Sequence, residues 1–411
     1  MIIFLFLPIA LFILVIGLSF PLVNDEIPFY KIIIDFPYAY FHPEHIGALI
    51  RTLPFPGYFF MQSLIGKLFG FEIWKLRMFN VFCGSLAIVV FFKLLLRLEW
   101  LAIKRESALV VSCLLLFSPY FFMSSYLIYT DMPALLLALV ATYAYIRKRW
   151  FWVASFSLCA LIFRQSYLFL IVAFLCDSVY STRGRSKGSL IGLGLMLSLA
   201  IVLCVSAAIF PKALLFHRYI PLQFDQYTLI RQLSLFNVLL VCIGIYTLPL
   251  LCLAGKDVIR LRNVAIAVCL SPLFLLKPFY VSFSLFGGGV GFNTVKAFTQ
   301  ATGIPSLIIL IPFWMLGIMI VAAIVQEAIR SRTLTLFHFQ FFCFLAAVLC
   351  SSFFNERYFL AVLPSLFIVL INNNRMPQKR LFPIFLIGIL VVLTIVGFYV
   401  YVLGRGSLLY R

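Results

Sequence analysis

The chain has 411 residues, of which 64% are hydrophobic and only 11% charged, and its mean hydropathy is +1.13. No soluble domain of this size needs so much apolar surface, so the composition places it among polytopic membrane proteins. A formal charge of +19 would suit a nucleic-acid partner, but the basic residues lie in short clusters between apolar runs and not on one stripe or tail, which excludes that reading.

Apolar runs predict transmembrane helices over 2–20, 76–96, 108–128, 132–146, 150–163, 166–180, 189–210, 234–254, 263–280, 305–328, 336–353, 358–371 and 381–403. That makes about thirteen, judged by a span of about 20 residues. The first run lacks a basic leader and a small-residue cleavage site, so it reads as the first transmembrane helix and not as a signal peptide. Residues 21–75 form a first loop. Within it 54–71 is apolar but broken by Pro54, Pro56, Gly57 and Gly66, which predicts an interfacial helix. The runs 132–146, 150–163 and 358–371 are short for straight spans and read as tilted, re-entrant or half-buried. The whole of 1–411 reads as one integral membrane domain.

Orientation follows from the positive-inside rule. With the N-terminus cytoplasmic, the clusters at Arg97, Lys104 and Arg105, at Arg147-Lys148-Arg149, at Arg183, Arg185 and Lys187, at Lys256, Arg260 and Arg262, at Arg330 and Arg332, and at Arg375, Lys379 and Arg380 share one side. These clusters read as helix orienters that touch anionic membrane lipids. The opposite side receives Asn24-Asp25-Glu26, Asp131, Arg164, two loops over 211–233 and 281–304, and Asn355-Glu356-Arg357. The ten cysteines sit mostly inside apolar runs and form no metal-ligand spacing. His42, His45, His217 and His338 form no metal constellation either, so neither cofactor nor metal is expected.

The residues able to do chemistry all fall on the non-cytoplasmic side. Asp25 and Glu26 are adjacent carboxylates where a helix leaves the bilayer, a costly position and a functional one by default. The bland alternative is a solvated interfacial pair. Asp131 is a lone carboxylate in a short turn; it reads as an N-cap for a helix starting near Pro133, a role that leaves room for a second one. Arg164 stands alone between apolar segments and needs an anionic partner: Asp131, Asp25 or a phosphate. Arg357 repeats that logic, with an internal pairing to Glu356 as the alternative, and Arg77 is an interfacial anchor or a ligand. Such a set suits a lipid-phosphate leaving group held by arginine while a carboxylate takes the proton of a sugar hydroxyl.

The same residues resemble a known family. Asn24-Asp25-Glu26-Ile27-Pro28-Phe29, Ile50 to Tyr58 (with Thr52 and Tyr58), Leu76-Arg77-Met78-Phe79-Asn80, Tyr129-Thr130-Asp131 and Phe163-Arg164-Gln165-Ser166 follow in order the motifs of the dolichyl-phosphate-glucose α-1,2-glucosyltransferases. Two departures stand beside them: Phe29 and Tyr30 where that family has a histidine, and His42-Pro43-Glu44 where it has Trp-Asp-Pro. The order covers roughly the first 180 residues. The resemblance implies an all-α polytopic GT-C-type bundle and an inverting transfer of glucose from dolichyl-phosphate-glucose to the lipid-linked oligosaccharide for N-glycosylation, in the endoplasmic reticulum membrane. It implies Asp25, Glu26 and Asp131 as catalytic residues, and Arg164, Gln165, Arg357, Arg77, Thr52 and Tyr58 as substrate-binding residues. The residues alone leave open another polyprenyl-phosphate sugar such as mannose, a bacterial inner membrane, or a lipid-linked-sugar transporter.

Overall fold

The computed structural model describes residues 22, 26–42, 56–98, 101, 103–181, 194, 201, 229–254, 258–276, 295, 299–349 and 356–372. Among them every regular element is helical. In chain order these are α1 (Glu26–Ile34), α2 (Tyr38–Phe41), α3 (Gly57–Phe69), α4 (Ile73–Arg97), α5 (Arg105–Leu116), α6 (Pro119–Tyr126), α7 (Asp131–Ile146) and α8 (Trp150–Phe163). A short 3-10 turn, Gln165–Tyr167, leads into α9 (Leu168–Ser181). Then follow α10 (Leu229–Ala254), α11 (Leu261–Leu276), α12 (Ser306–Ser331), α13 (Leu336–Leu349), a 3-10 turn Glu356–Ala361 and α14 (Leu363–Asn372).

Three of these helices are long and apolar enough to cross a membrane: Ile73–Arg97, Leu233–Leu251 within α10, and Ile308–Ser331 within α12. The chain is therefore a multi-pass membrane protein, but the expected thirteen spans are not what the described residues show. The expected span over 108–128 is built of two helices, α5 and α6, bent by 65°. The break falls at Phe117-Ser118, and Pro119 opens the second helix, where its missing N–H does no harm. Counting that pair as one broken span gives four. The helices over 131–146, 150–163 and 336–349 form where the apolar runs predict them but are short. At 1.5 Å per residue, 14 to 16 residues reach roughly 21–24 Å, against about 30 Å of hydrocarbon. The expected helix over 358–371 begins as a 3-10 turn before α14. The expected spans 2–20, 189–210 and 381–403 lie outside the described residues, and a helix forms within the expected 54–71 as α3.

The chain divides into two compact units: Met1–Leu94 with Phe121–Asp225 and Val402–Arg411, and Leu95–Tyr120 with Gln226–Tyr401. In the first, α1 packs on α3, α7 on α8, and α3 on α8. Phe29 seats its ring against Phe59 (5.6 Å between centroids) and Tyr129 (6.2 Å), both edge-on. Helix α7 ends with Lys148 in the left-handed region (φ 57°). There the Arg149 and Lys148 N–H groups donate back to the carbonyls of Ala144 and Tyr145, a Schellman closure that turns the chain into α8. In the second unit α10 packs on α12 and α12 on α11. Gly244 faces the backbone of Phe313 and Gly317 that of Leu240, so no side chain separates the two helices at either crossing point. The buried Trp314 indole donates to Asn237 Oδ1 (3.0 Å) across the same pair.

Candidate active site

The first unit holds two buried ion pairs joined by one short stretch of backbone. Glu26 opens α1 and is fully buried. From α4, Arg77 grips it with two bonds, Nε to Oε1 at 3.0 Å and an Nη to Oε2 at 2.5 Å. The Ile128 N–H donates to the same Oε1 at 2.8 Å. Two parallel charge-assisted bonds and a backbone donor occupy both oxygens, and the carboxylate also sits at the positive end of α1.

One helical turn beyond Arg77, on the same face of α4, Asn80 donates through Nδ2 to the carbonyls of Leu127 and Tyr129 (2.9 Å to Tyr129). Its amide therefore braces the very segment that presents Ile128 N–H to Glu26. Behind it, Gln62 Nε2 donates to Tyr58 Oη (3.0 Å) and the Leu76 carbonyl (3.1 Å). Tyr58 is completely enclosed, and burial holds its phenol well above the ordinary range.

The second pair lies at the other end of the same stretch. Helix α8 stops at Arg164, whose backbone is extended (φ −156°, ψ 118°) and whose N–H closes on the Ala160 carbonyl. Its guanidinium donates to Thr130 Oγ1 at 2.6 Å and pairs with Asp131 Oδ1 at 3.0 Å. The expectation that Asp131 caps a helix starting near Pro133 is corrected. The helix starts at Asp131 itself, Thr130 holds the capping position, and Thr130 makes no side-chain cap bond. Both side chains turn to Arg164, since a buried guanidinium is costlier to leave unpaired than a helix N–H. Asp131 Oδ2 is buried and accepts no hydrogen bond among the described residues. All four charged side chains of the two pairs are buried.

The structure thus gathers Glu26, Arg77, Tyr58, Asp131 and Arg164 in one polar cluster. Gln165, next to Arg164, is half-buried in the 3-10 turn. Asp25 and Thr52 lie outside the described residues; Arg357 is described in its backbone only, in the 3-10 turn before α14. Arg77 and Tyr58, expected to bind substrate, are enclosed here: Arg77 is engaged by Glu26 and Tyr58 by two amides. Sequence reasoning missed the bracing by Asn80 and Gln62. The available signal was Asn80 three residues after Arg77, which places both on one helix face.

Residues 49–191 match the model of the DIE2/ALG10 family. The match spans four of the five motifs, including both ends of the Asp131–Arg164 pair. Among curated proteins none matches the chain. Among solved structures, ArnT from Cupriavidus metallidurans in the apo state is similar at 14% identity and a TM-score of 0.41, over 90% of this chain and 77% of that one. The same protein bound to undecaprenyl phosphate gives 14% identity and 0.39 over the same shares.

Proposed function

We propose that the chain is an inverting, membrane-embedded glycosyltransferase that moves glucose from dolichyl-phosphate-glucose onto a lipid-linked oligosaccharide in α-1,2 linkage. The observation that carries the reading is the convergence of Thr130, Asp131 and Arg164. Three residues from two separate family motifs meet in one buried cluster, inside the segment that matches the family.

In this reading an acceptor hydroxyl oxygen attacks the anomeric carbon of the donor sugar. Its proton passes to a carboxylate, and the bond from the anomeric carbon to the phosphate oxygen breaks, with the electron pair leaving on dolichyl phosphate. Glu26 has both oxygens occupied by Arg77 and Ile128, so it serves to hold the start of α1. The base is then its neighbour Asp25. Among the described residues Asp131 keeps one buried oxygen without a hydrogen-bond partner, and we assign that oxygen to orient the acceptor once the cluster opens to substrate. Arg164 and Arg357 are the residues we assign to the lipid phosphate or to the acceptor pyrophosphate, where charge develops on the leaving group. The membrane that fits these substrates is that of the endoplasmic reticulum.

The test is transfer in vitro by purified protein with dolichyl-phosphate-glucose, a diglucosylated lipid-linked acceptor and EDTA, read as one added hexose by mass. Product that disappears in Asp25→Asn, with folding intact, is the expected outcome. Near-normal transfer by that variant refutes the base assignment. Product only with the mannose donor refutes the substrate, and movement of lipid-linked sugar without a new glycosidic bond refutes the enzyme.

A further inference from the structure

Two anions claim Arg164. The structure pairs it with Asp131, and the reaction proposed above gives it to a lipid phosphate. The contacts show how it can pass from one to the other. A single nitrogen serves both partners: Nη1 donates a hydrogen bond to Thr130 Oγ1 at 2.6 Å and stands 3.0 Å from Asp131 Oδ1. The two partners differ in kind. Thr130 is neutral and fully buried, and it follows Tyr129, whose carbonyl Asn80 holds at 2.9 Å. Asp131 supplies charge, and its other oxygen accepts no hydrogen bond among the described residues.

Charge balance decides what a second anion does here. Asp131 and Arg164 are both buried, and as a pair they carry no net charge. A phosphate arriving at Arg164 makes the group net negative in a low dielectric, where like charges repel strongly. The phosphate can take the place of Asp131 on the guanidinium and leave the Thr130 bond intact, because that bond neutralises no charge. The displaced carboxylate is then a buried anion in need of donors, and the hydroxyls of a sugar acceptor are such donors. Lipid phosphate and acceptor thus favour one another's binding by the same factor, as any two coupled ligands must.

We propose that Arg164 is a shared cation that makes binding ordered, lipid phosphate before acceptor. The phosphate displaces Asp131, Asp131 turns to the acceptor, and Thr130 is the positioning residue that keeps the guanidinium in place during the exchange. This exchange rests on the roles assigned to Arg164 and Asp131 in the proposed reaction, but its test needs no turnover.

The experiment measures equilibrium binding to the full chain in detergent, with dolichyl phosphate and the diglucosylated lipid-linked acceptor as probes, each alone and each in the presence of the other. In wild type, dolichyl phosphate should raise acceptor affinity about tenfold. Asp131→Asn should bind dolichyl phosphate about tenfold more tightly than wild type, since the competing anion is gone, and should show no coupling between the probes. Thr130→Val should weaken dolichyl phosphate binding about fivefold, and Thr130→Ser, which keeps the hydroxyl, should restore it. Should Asp131→Asn fail to fold, the wild-type coupling and the two Thr130 variants still decide the outcome. Unchanged or weaker dolichyl phosphate binding in Asp131→Asn, acceptor affinity indifferent to dolichyl phosphate in wild type, or equal losses in Thr130→Val and Thr130→Ser overturn the proposal. So does a gain in Asp131→Asn for the pyrophosphate-bearing acceptor alone, which would put the acceptor on Arg164 first. Exchange observed without hexose transfer from dolichyl-phosphate-glucose refutes the reaction and leaves the shared cation standing.

Discussion

Removing one side of the Glu26–Arg77 pair should damage the protein more than removing both. In Arg77→Leu the Glu26 carboxylate stays fully buried without the guanidinium that pairs it, while the Ile128 N–H still donates to it. Breaking a buried pair in this way costs about 3–5 kcal/mol, because a charge is left uncompensated. Glu26→Leu removes the carboxylate that pairs the buried Arg77 guanidinium, at a similar cost. The double variant Glu26→Leu/Arg77→Leu removes both charges and orphans chiefly the Ile128 N–H, at about 1–3 kcal/mol. For a chain of this length, 4 kcal/mol corresponds to a fall in Tm of roughly 5 °C. Thermal unfolding in detergent, run on all four proteins, closes the cycle and should give a coupling of at least about 3 kcal/mol. A double variant that loses the sum of the single losses, or singles that cost under about 1 kcal/mol, would refute the claim that Glu26 is held as a structural clamp.

Two further outcomes follow from single side chains. Asn80→Ala strips the donor from the Leu127 and Tyr129 carbonyls; it should cost about 2–4 kcal/mol in unfolding and lower kcat more than KM, since it loosens the segment that sets both ion pairs. Lys148→Gly relieves a side chain from the left-handed region at the end of α7. It should raise stability by about 0.5–1 kcal/mol, measured by thermal unfolding, after the extra backbone freedom of glycine in the unfolded chain is deducted.

Local features were legible in the sequence. The ends of α7, α8 and α13 fall within a few residues of the predicted boundaries because charged clusters and turns bracket those apolar runs. The need of Arg164 for an anionic partner was also legible, because an isolated arginine between apolar segments cannot stand alone. Asp131 was among its three named candidates. The Glu26–Arg77 pair was not legible: its partners lie 51 residues apart, and no periodicity encodes a contact between separate helices. The α5–α6 bend was missed although Ser118-Pro119 signals it, because continuous hydrophobicity outweighed the proline in the span prediction. Motif position alone makes Tyr58 a substrate contact; its complete enclosure goes with the packing of α3 against α1 and α8, which single-sequence reasoning does not reach.

The stretch from Leu127 to Asp131 also dictates an order of assembly. During synthesis, the Glu26 carboxylate must wait 51 residues for Arg77 and 102 for the Ile128 N–H. Arg164 emerges 34 residues after the threonine it holds. Until then each charge lacks the partner that the finished fold gives it. Chains halted before Arg164 would carry Asp131 unpaired and would offer quality-control proteases a marker that the finished protein conceals. The polar cluster is in this sense a timer: its closure reports that the first 164 residues have been made and have found one another.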